Sequence, residues 1–214
     1  MQKLILQFLY SLLIRNFLKL FVGVKFQNAH FLIKEKQFII VANHNSHLDT
    51  LTILASLPSK IILRVKPVAA QDHFGNTKFK EKLSNYFINT LLIQRKRDKE
   101  NINNDPIHRM IKALDDGYSL ILFPEGTRGA AEVQQPLKPG IGYVLSERPS
   151  VKYVPAFLRG MGKAMPKNDN LIVPHNSSLT YGVPTQIEST EVMEIVAQVE
   201  RSINRLRDEL GVRS

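Results

Sequence analysis

The sequence predicts an α/β fold built on a mainly parallel sheet with helices on both faces. Three observations carry that expectation. Short apolar runs rich in β-branched residues alternate along the chain with longer helical patterns, as in βαβ units. Runs such as Phe38–Ala42 are continuously apolar, the pattern of a buried strand. Polar turns follow several of these runs, at the position where open α/β sheets keep their binding and catalytic groups. At 214 residues, 43% of them hydrophobic, the chain is long enough to bury one sizeable core.

Residues 1–24 form the most apolar stretch. Lys3, Gln7, Ser11, Arg15 and Lys19 recur every fourth residue, so on a helix they draw one slowly winding polar stripe. The charge-free part, Leu4 to Ile14, is shorter than the roughly 20 residues a bilayer span needs. No small-residue cleavage site follows, which argues against a secretory signal. The expectation is an amphipathic helix lying in the membrane interface, Lys and Arg toward head groups, ahead of a domain over residues 25–214. The alternative is a wide-faced helix packed on the domain's own core.

Phe38–Ala42 is expected as a buried strand, followed by the polar turn Asn43-His44-Asn45-Ser46-His47. A helix runs from about Leu48 to Leu57-Pro58, where proline ends it. Arg64–Ala70 is a strand, 71–76 a loop and Lys78–Phe87 a helix. Leu91–Ile93 is a short strand closed by the basic run Gln94-Arg95-Lys96-Arg97, and the polar stretch Asp98 to Asn104 is a loop or lid. Pro106 opens a helix through Leu114, since a first-turn proline loses no intrahelical bond. Asp115-Asp116-Gly117 turns the chain into a strand over Tyr118–Phe123, which ends in Pro124-Glu125-Gly126-Thr127-Arg128-Gly129. Lys138-Pro139-Gly140-Ile141-Gly142 opens a helix through Ser146. Val151–Leu158 is expected as an edge or bent strand, because Pro155 has no ladder donor. Asn170–Tyr181 supplies further strands. Val192, Val196, Val199, Ile203, Leu206 and Leu210 recur at steps of four and three, which predicts a core-packed helix over about Thr190–Leu210. No internal repeat or linker interrupts the chain.

The formal net charge of +10 calls for an anionic partner: lipid head groups, a phosphorylated substrate or nucleic acid. Nucleic acid ranks last, because no clustered aromatic-and-basic signature or metal-binding Cys/His spacing is present. There is no cysteine, hence no disulfide framework and no thiolate nucleophile, in keeping with a cytosolic face.

Two clusters carry chemistry. His44 and Asp49 are five apart and would point to different faces of one continuous helix. With a turn between them the carboxylate can fold back onto the imidazole. That arrangement makes a general base: Asp49 holds the tautomer and the other ring nitrogen takes a proton. One His-x-x-x-x-Asp pair is common by chance; a second motif adds weight. In Phe123-Pro124-Glu125-Gly126-Thr127-Arg128, Arg128 can hold a phosphate bidentately, Thr127 can donate a hydroxyl and Gly126 lets backbone approach closely. The plain alternative is that Glu125 and Arg128 cap the junction and pair with each other.

Together the two stretches resemble the glycerophospholipid acyltransferase family, of the lysophosphatidic acid acyltransferase type. Asn43, His44, Ser46 and Asp49 match its Asn-His-x-Ser-x-x-Asp block, and Phe123–Arg128 match Phe-Pro-Glu-Gly-Thr-Arg at every position. Leu92-Ile93-Gln94-Arg95 fits the looser second block. Val154-Pro155-Ala156 fits the fourth, with alanine smaller than the usual valine or isoleucine. The resemblance covers roughly residues 30–160. It implies that His44 is the catalytic base and Asp49 its partner, and that Arg95, Glu125, Gly126, Thr127 and Arg128 bind the acceptor's glycerol phosphate. The implied reaction belongs to phospholipid biosynthesis. A fatty acyl group passes from acyl-CoA or acyl-carrier protein to the free hydroxyl of a lysophospholipid, foremost 1-acyl-glycerol-3-phosphate, giving phosphatidic acid. Another lipid acceptor, or a catalytically silent lipid-binding module, is the alternative. No metal or bound cofactor is expected; the expected partners are the lipid acceptor, the acyl donor and an anionic membrane surface. The expected location is monotopic, on the cytoplasmic face of a membrane.

Overall fold

The computed structural model describes residues 6–27, 29–71, 89–98, 100–166 and 171–211. The strands are β1 (Val24–Phe26), β2 (Phe38–Ala42), β3 (Val65–Ala70), β4 (Leu91–Ile93), β5 (Ser119–Leu122), β6 (Lys152–Arg159) and β7 (Ser177–Tyr181). They form one sheet in the order β1-β7-β6-β2-β5-β3-β4. Every pairing is parallel except β6 with β7, so the sheet is mainly parallel, as expected.

Helices cover both faces. Helix α1 is built of three contiguous pieces, Leu9–Ile14, Arg15–Phe17 and Leu18–Val22. The others are α2 (Asp49–Ser56), α3 (Pro106–Asp115), α4 (Gly140–Glu147), α5 (Met161–Ala164) and α6 (Val192–Glu209). All five residues of β2 are buried. Their alternation divides them between two cores. Phe38, Ile40 and Ala42 pack with Leu6, Tyr10, Leu18 and Val22 of the N-terminal segment and with Ile53 and Leu54 of α2. Ile39 and Val41 pack on the opposite face with Met110 of α3, Val144 of α4 and Val199 of α6. A parallel sheet needs both faces covered, which is why its strands read as unbroken apolar runs.

Most elements fall where the pattern places them. Asp105 caps α3 by accepting from the N–H groups of Ile107 and His108, with Pro106 in the first turn. Gly117, at φ 86°, makes the turn into β5. In α6 the predicted spacing buries Val196, Val199, Ile203 and Leu206. The expected helix over 78–87 and most of the 71–76 loop lie outside the described residues. The short strand β1 and the one-turn helix α5 have no counterpart in the sequence reading; each is too short to show a period.

Two expectations change. β6 is an interior strand, between β2 and β7, not an edge. Its proline sits at a bulge: Tyr153 pairs with Thr185 but Ala156 pairs with Tyr181, so three steps on β6 match four on its neighbour. The Pro155 carbonyl still accepts from Gly182 N–H at 2.8 Å, and the missing N–H faces the interrupted ladder. The polar stripe of α1 is also not turned uniformly outward. Gln7 donates to the Ser59 carbonyl at 2.9 Å, and the Arg15 guanidinium lies 5.5 Å over the Phe26 ring. The first and last pieces of α1 are π-wound. Bonds from i to i+5 widen each turn, so a four-residue repeat no longer follows the α-helical stripe.

Candidate active site

The parallel strands β2, β5 and β4 deliver their following turns to the same edge of the sheet, the carboxyl edge where α/β sheets bind ligands. This is what brings together residues that the sequence holds far apart. His44 follows β2, the Phe123–Arg128 motif follows β5, and Arg95 follows β4.

The turn after β2 folds Asp49, the first residue of α2, back onto His44. His44 Nδ1 and Asp49 Oδ2 are 2.9 Å apart. The same oxygen accepts the backbone N–H groups of Asn45 and Ser46, each at 2.8 Å. A carboxylate oxygen accepting two N–H groups is an acceptor, so Nδ1 carries the hydrogen and Nε2 keeps its lone pair. Asp49 is fully buried while the His44 side chain is 18% exposed, so of the pair the imidazole is the partner within reach of a substrate. Phe123 stacks on the imidazole with ring centroids 4.1 Å apart and planes 18° from parallel.

The second motif clamps the first through its backbone. His44 N–H donates to Glu125 Oε1 at 3.0 Å, and the His44 carbonyl accepts from Gly129 N–H at 2.9 Å. Glu125 Oε2 accepts Gln135 N–H at 3.2 Å, so both carboxyl oxygens are engaged inside the protein and the residue is 1% exposed. Burial pushes the Glu125 carboxyl up to about 7 despite the two N–H groups that favour its charge, and the Asp49 charge adds to the rise. The sequence alternative of a Glu125–Arg128 pair gives way to this backbone clamp.

Thr127 Oγ1 donates to Gln135 Oε1 at 3.3 Å. Gly126 turns with φ 73°, a conformation glycine adopts without strain. Its carbonyl accepts from Arg95 Nη1 at 3.2 Å, which joins the basic run after β4 to the loop after β5. Arg128 is partly buried; burial lowers the pKa of its guanidinium, while the Asp49 carboxylate, near enough to act on it, pulls the other way.

Sequence reasoning overlooked the residues that hold this edge in shape. Asn43 bridges β2 to β6, donating to the Leu158 carbonyl at 2.9 Å and accepting Leu158 N–H at 2.8 Å. The Asn45 amide donates to the carbonyls of Ala130 and Val133, at 2.6 and 3.1 Å, and so ties down the loop beyond Arg128. Ser46 donates to the Met165 carbonyl at 2.8 Å and accepts Leu48 N–H at 3.2 Å, and so orders the turn. Asn43 stood inside the quoted motif, which was the available signal; Gln135 had none.

Three comparisons bear on this edge. A family model described as Acyltransferase matches residues 23–176. The 1-acyl-sn-glycerol-3-phosphate acyltransferase BAT2, chloroplastic, of Brassica napus is 28% identical over 144 residues, covering 64% of this chain and 37% of that protein. The chain thus spans little more than a third of that relative's length. The crystal structure of the 1-acyl-sn-glycerophosphate (LPA) acyltransferase PlsC from Thermotoga maritima shares the fold. Its TM-score is 0.78 at 22% identity, covering 100% of this chain and 82% of that one.

Proposed function

The chain belongs to the acyltransferase family, and from that premise we propose that it moves a fatty acyl group from a thioester donor to the free hydroxyl of a lysophospholipid, foremost 1-acyl-glycerol-3-phosphate. The observation that carries the reading is the His44–Asp49 contact at 2.9 Å, with Nε2 left as a base at an open, cation-lined edge. His44 Nε2 takes the proton of the acceptor hydroxyl as its oxygen attacks the thioester carbonyl. The tetrahedral intermediate collapses, the C–S bond breaks, and the imidazolium returns its proton to the leaving thiolate. Asp49 stabilises the imidazolium in between. No enzyme nucleophile takes part, in accord with a chain that has no cysteine. Arg95 and Arg128 hold the acceptor's phosphate.

The acceptor and product are lipids, so the site works at a bilayer surface, on the cytoplasmic face by this reading. Support comes from α1. It buries Tyr10, Leu18 and Val22 while Phe8, Leu12, Leu13, Phe17, Leu20 and Phe21 stand exposed beside it. Isolated exposed apolar residues are ordinary; six on one short segment suit insertion into the headgroup boundary. Among the described residues no helix is long and apolar enough to cross a membrane. A silent lipid-binding module is the weaker reading, because binding alone makes no use of a buried carboxylate aligned on a histidine. The test is thiol release from acyl-CoA by the purified protein with lysophosphatidate as acceptor. Acceptor-dependent release supports the reading, and its absence with both acyl-CoA and acyl-carrier protein refutes it.

A further inference from the structure

Gly126 has two neighbours that the motif alone does not explain. A Cβ built on it would lie 2.7 Å from Lys138 Nζ, 2.9 Å from its Cδ and 3.0 Å from its Cε, so the lysine side chain lies across the face of the glycine. On its other side the Gly126 carbonyl accepts from Arg95 at 3.2 Å. Lys138 is placed from its own backbone, whose N–H donates to the Pro124 carbonyl at 2.8 Å. Gly126 and Lys138 are both exposed. Among the described residues no hydrogen bond or ion pair holds the Lys138 ammonium. The loop's two acids are both engaged elsewhere: Glu125 turns its carboxyl inward to the N–H groups of His44 and Gln135, and Glu132 pairs with Lys163 at 2.9 Å.

Resting on the reading that this edge takes a phosphate-bearing acceptor, we propose that Lys138 is a further phosphate-binding residue, which with Arg95 forms a two-cation cradle astride Gly126 for a phosphate monoester. Glycine matters there for more than its positive φ: a side chain would have to push the lysine end out of the place it holds against Gly126. A guanidinium and an ammonium meeting at one exposed glycine give a phosphate a planar fork and a point charge together. Two sources carry such a group, the lysolipid acceptor and the nucleotide part of a CoA donor. The cradle lies on the motif that clamps His44, so we assign it to the acceptor.

The test has a binding arm and a kinetic arm, on the full chain with Lys138→Gln and Lys138→Arg. Lys138 is exposed, so neither change disturbs the core. Calorimetric titration with glycerol 3-phosphate should weaken about tenfold or more in Lys138→Gln, the loss expected for one charge-assisted contact, and recover in Lys138→Arg. Equal affinity in the parent and Lys138→Gln, or no binding to the parent, overturns the cradle. In the kinetic arm the KM for lysophosphatidate should rise by a similar factor with kcat held, while the KM for acyl-CoA and turnover of monoacylglycerol stay level. A rise confined to the acyl-CoA KM overturns the assignment to the acceptor. A parent that transfers no acyl group sinks the proposed reaction, and the titration still judges Lys138 by itself. Gly126→Ala supplies the cross-check. Combined with Lys138→Gln it should weaken binding by less than the two single effects together, because both remove the same contact; full additivity overturns the argument for Gly126.

Discussion

His44 is oriented from three sides: Asp49 at Nδ1, Phe123 across the ring, and Glu125 and Gly129 at its own backbone. His44→Ala should therefore lower acyl transfer by about 10²–10⁴, the usual worth of a general base, with circular dichroism unchanged. Retention of a tenth of the rate would remove His44 from the mechanism. Asp49→Asn should cost a comparable factor, because the amide oxygen can take the place of Oδ2 toward its three donors but carries no charge to stabilise the imidazolium. It should also cost stability, because its NH2 would replace the buried Oδ1 where no hydrogen-bond partner is found among the described residues. Glu125 makes a separate pH prediction. Its carboxyl is pushed by burial from the ordinary 4.5 to about 7. The folded state thus favours the protonated form; that stabilisation is full below about 4.5 and is lost as pH rises through about 7. Glu125→Gln, measured by urea midpoints from pH 4.5 to 8, should be destabilised most at the acid end and converge on the parent as pH rises. A gap that stays constant with pH would show that Glu125 titrates as an ordinary carboxylate.

Helix α1 has one face packed on the core and one exposed apolar face, and the second is the proposed membrane contact. Leu6, Tyr10, Leu18 and Val22 belong to the core that also holds β2, so the segment is integral to the fold. Deleting it would confound anchoring with unfolding. The informative variant instead changes exposed positions only: Phe8, Leu12, Leu20 and Phe21 to Glu. This protein should keep its thermal midpoint but no longer float with anionic vesicles, and should lose activity on vesicle-borne acceptor more than on a short-chain soluble one. Flotation equal to the parent would mean that this apolar face does not meet the bilayer. The loop after β5 is likewise held as a unit. Asn45 and Gln135 tie it at separate points, and Glu132 pairs with Lys163 at 2.9 Å, so the loop is fastened to its surroundings along its length.

The molecule as a whole carries a net charge of +10 and meets three anionic species in the proposed reaction: the bilayer, the acceptor phosphate and the donor. Vesicle binding should accordingly depend on anionic lipid, at about 1 kcal/mol for each Lys or Arg near the surface. It should weaken as salt shortens the screening length from about 10 Å at 0.1 M to about 3 Å at 1 M. Co-sedimentation with neutral and anionic vesicles across that range measures it. Equal binding to both at every salt concentration would reduce the charge to a solubility feature. What consecutive residues dictate was readable in the chain. Strand and helix periods, the stop at Leu57-Pro58, the helix start at Pro106 and the pairing of His44 with Asp49 all depend on neighbours within a few positions. Contacts between distant segments were decided only by the assembled sheet. His44 and Glu125 are 81 residues apart, and Asn43 and Leu158 are 115 apart. The interior place of β6, the inward turn of Glu125 and the seat of Lys138 on Gly126 belong to the same class. Each depends on which strands become neighbours and what their shared edge must satisfy, and no short-range pattern encodes that choice.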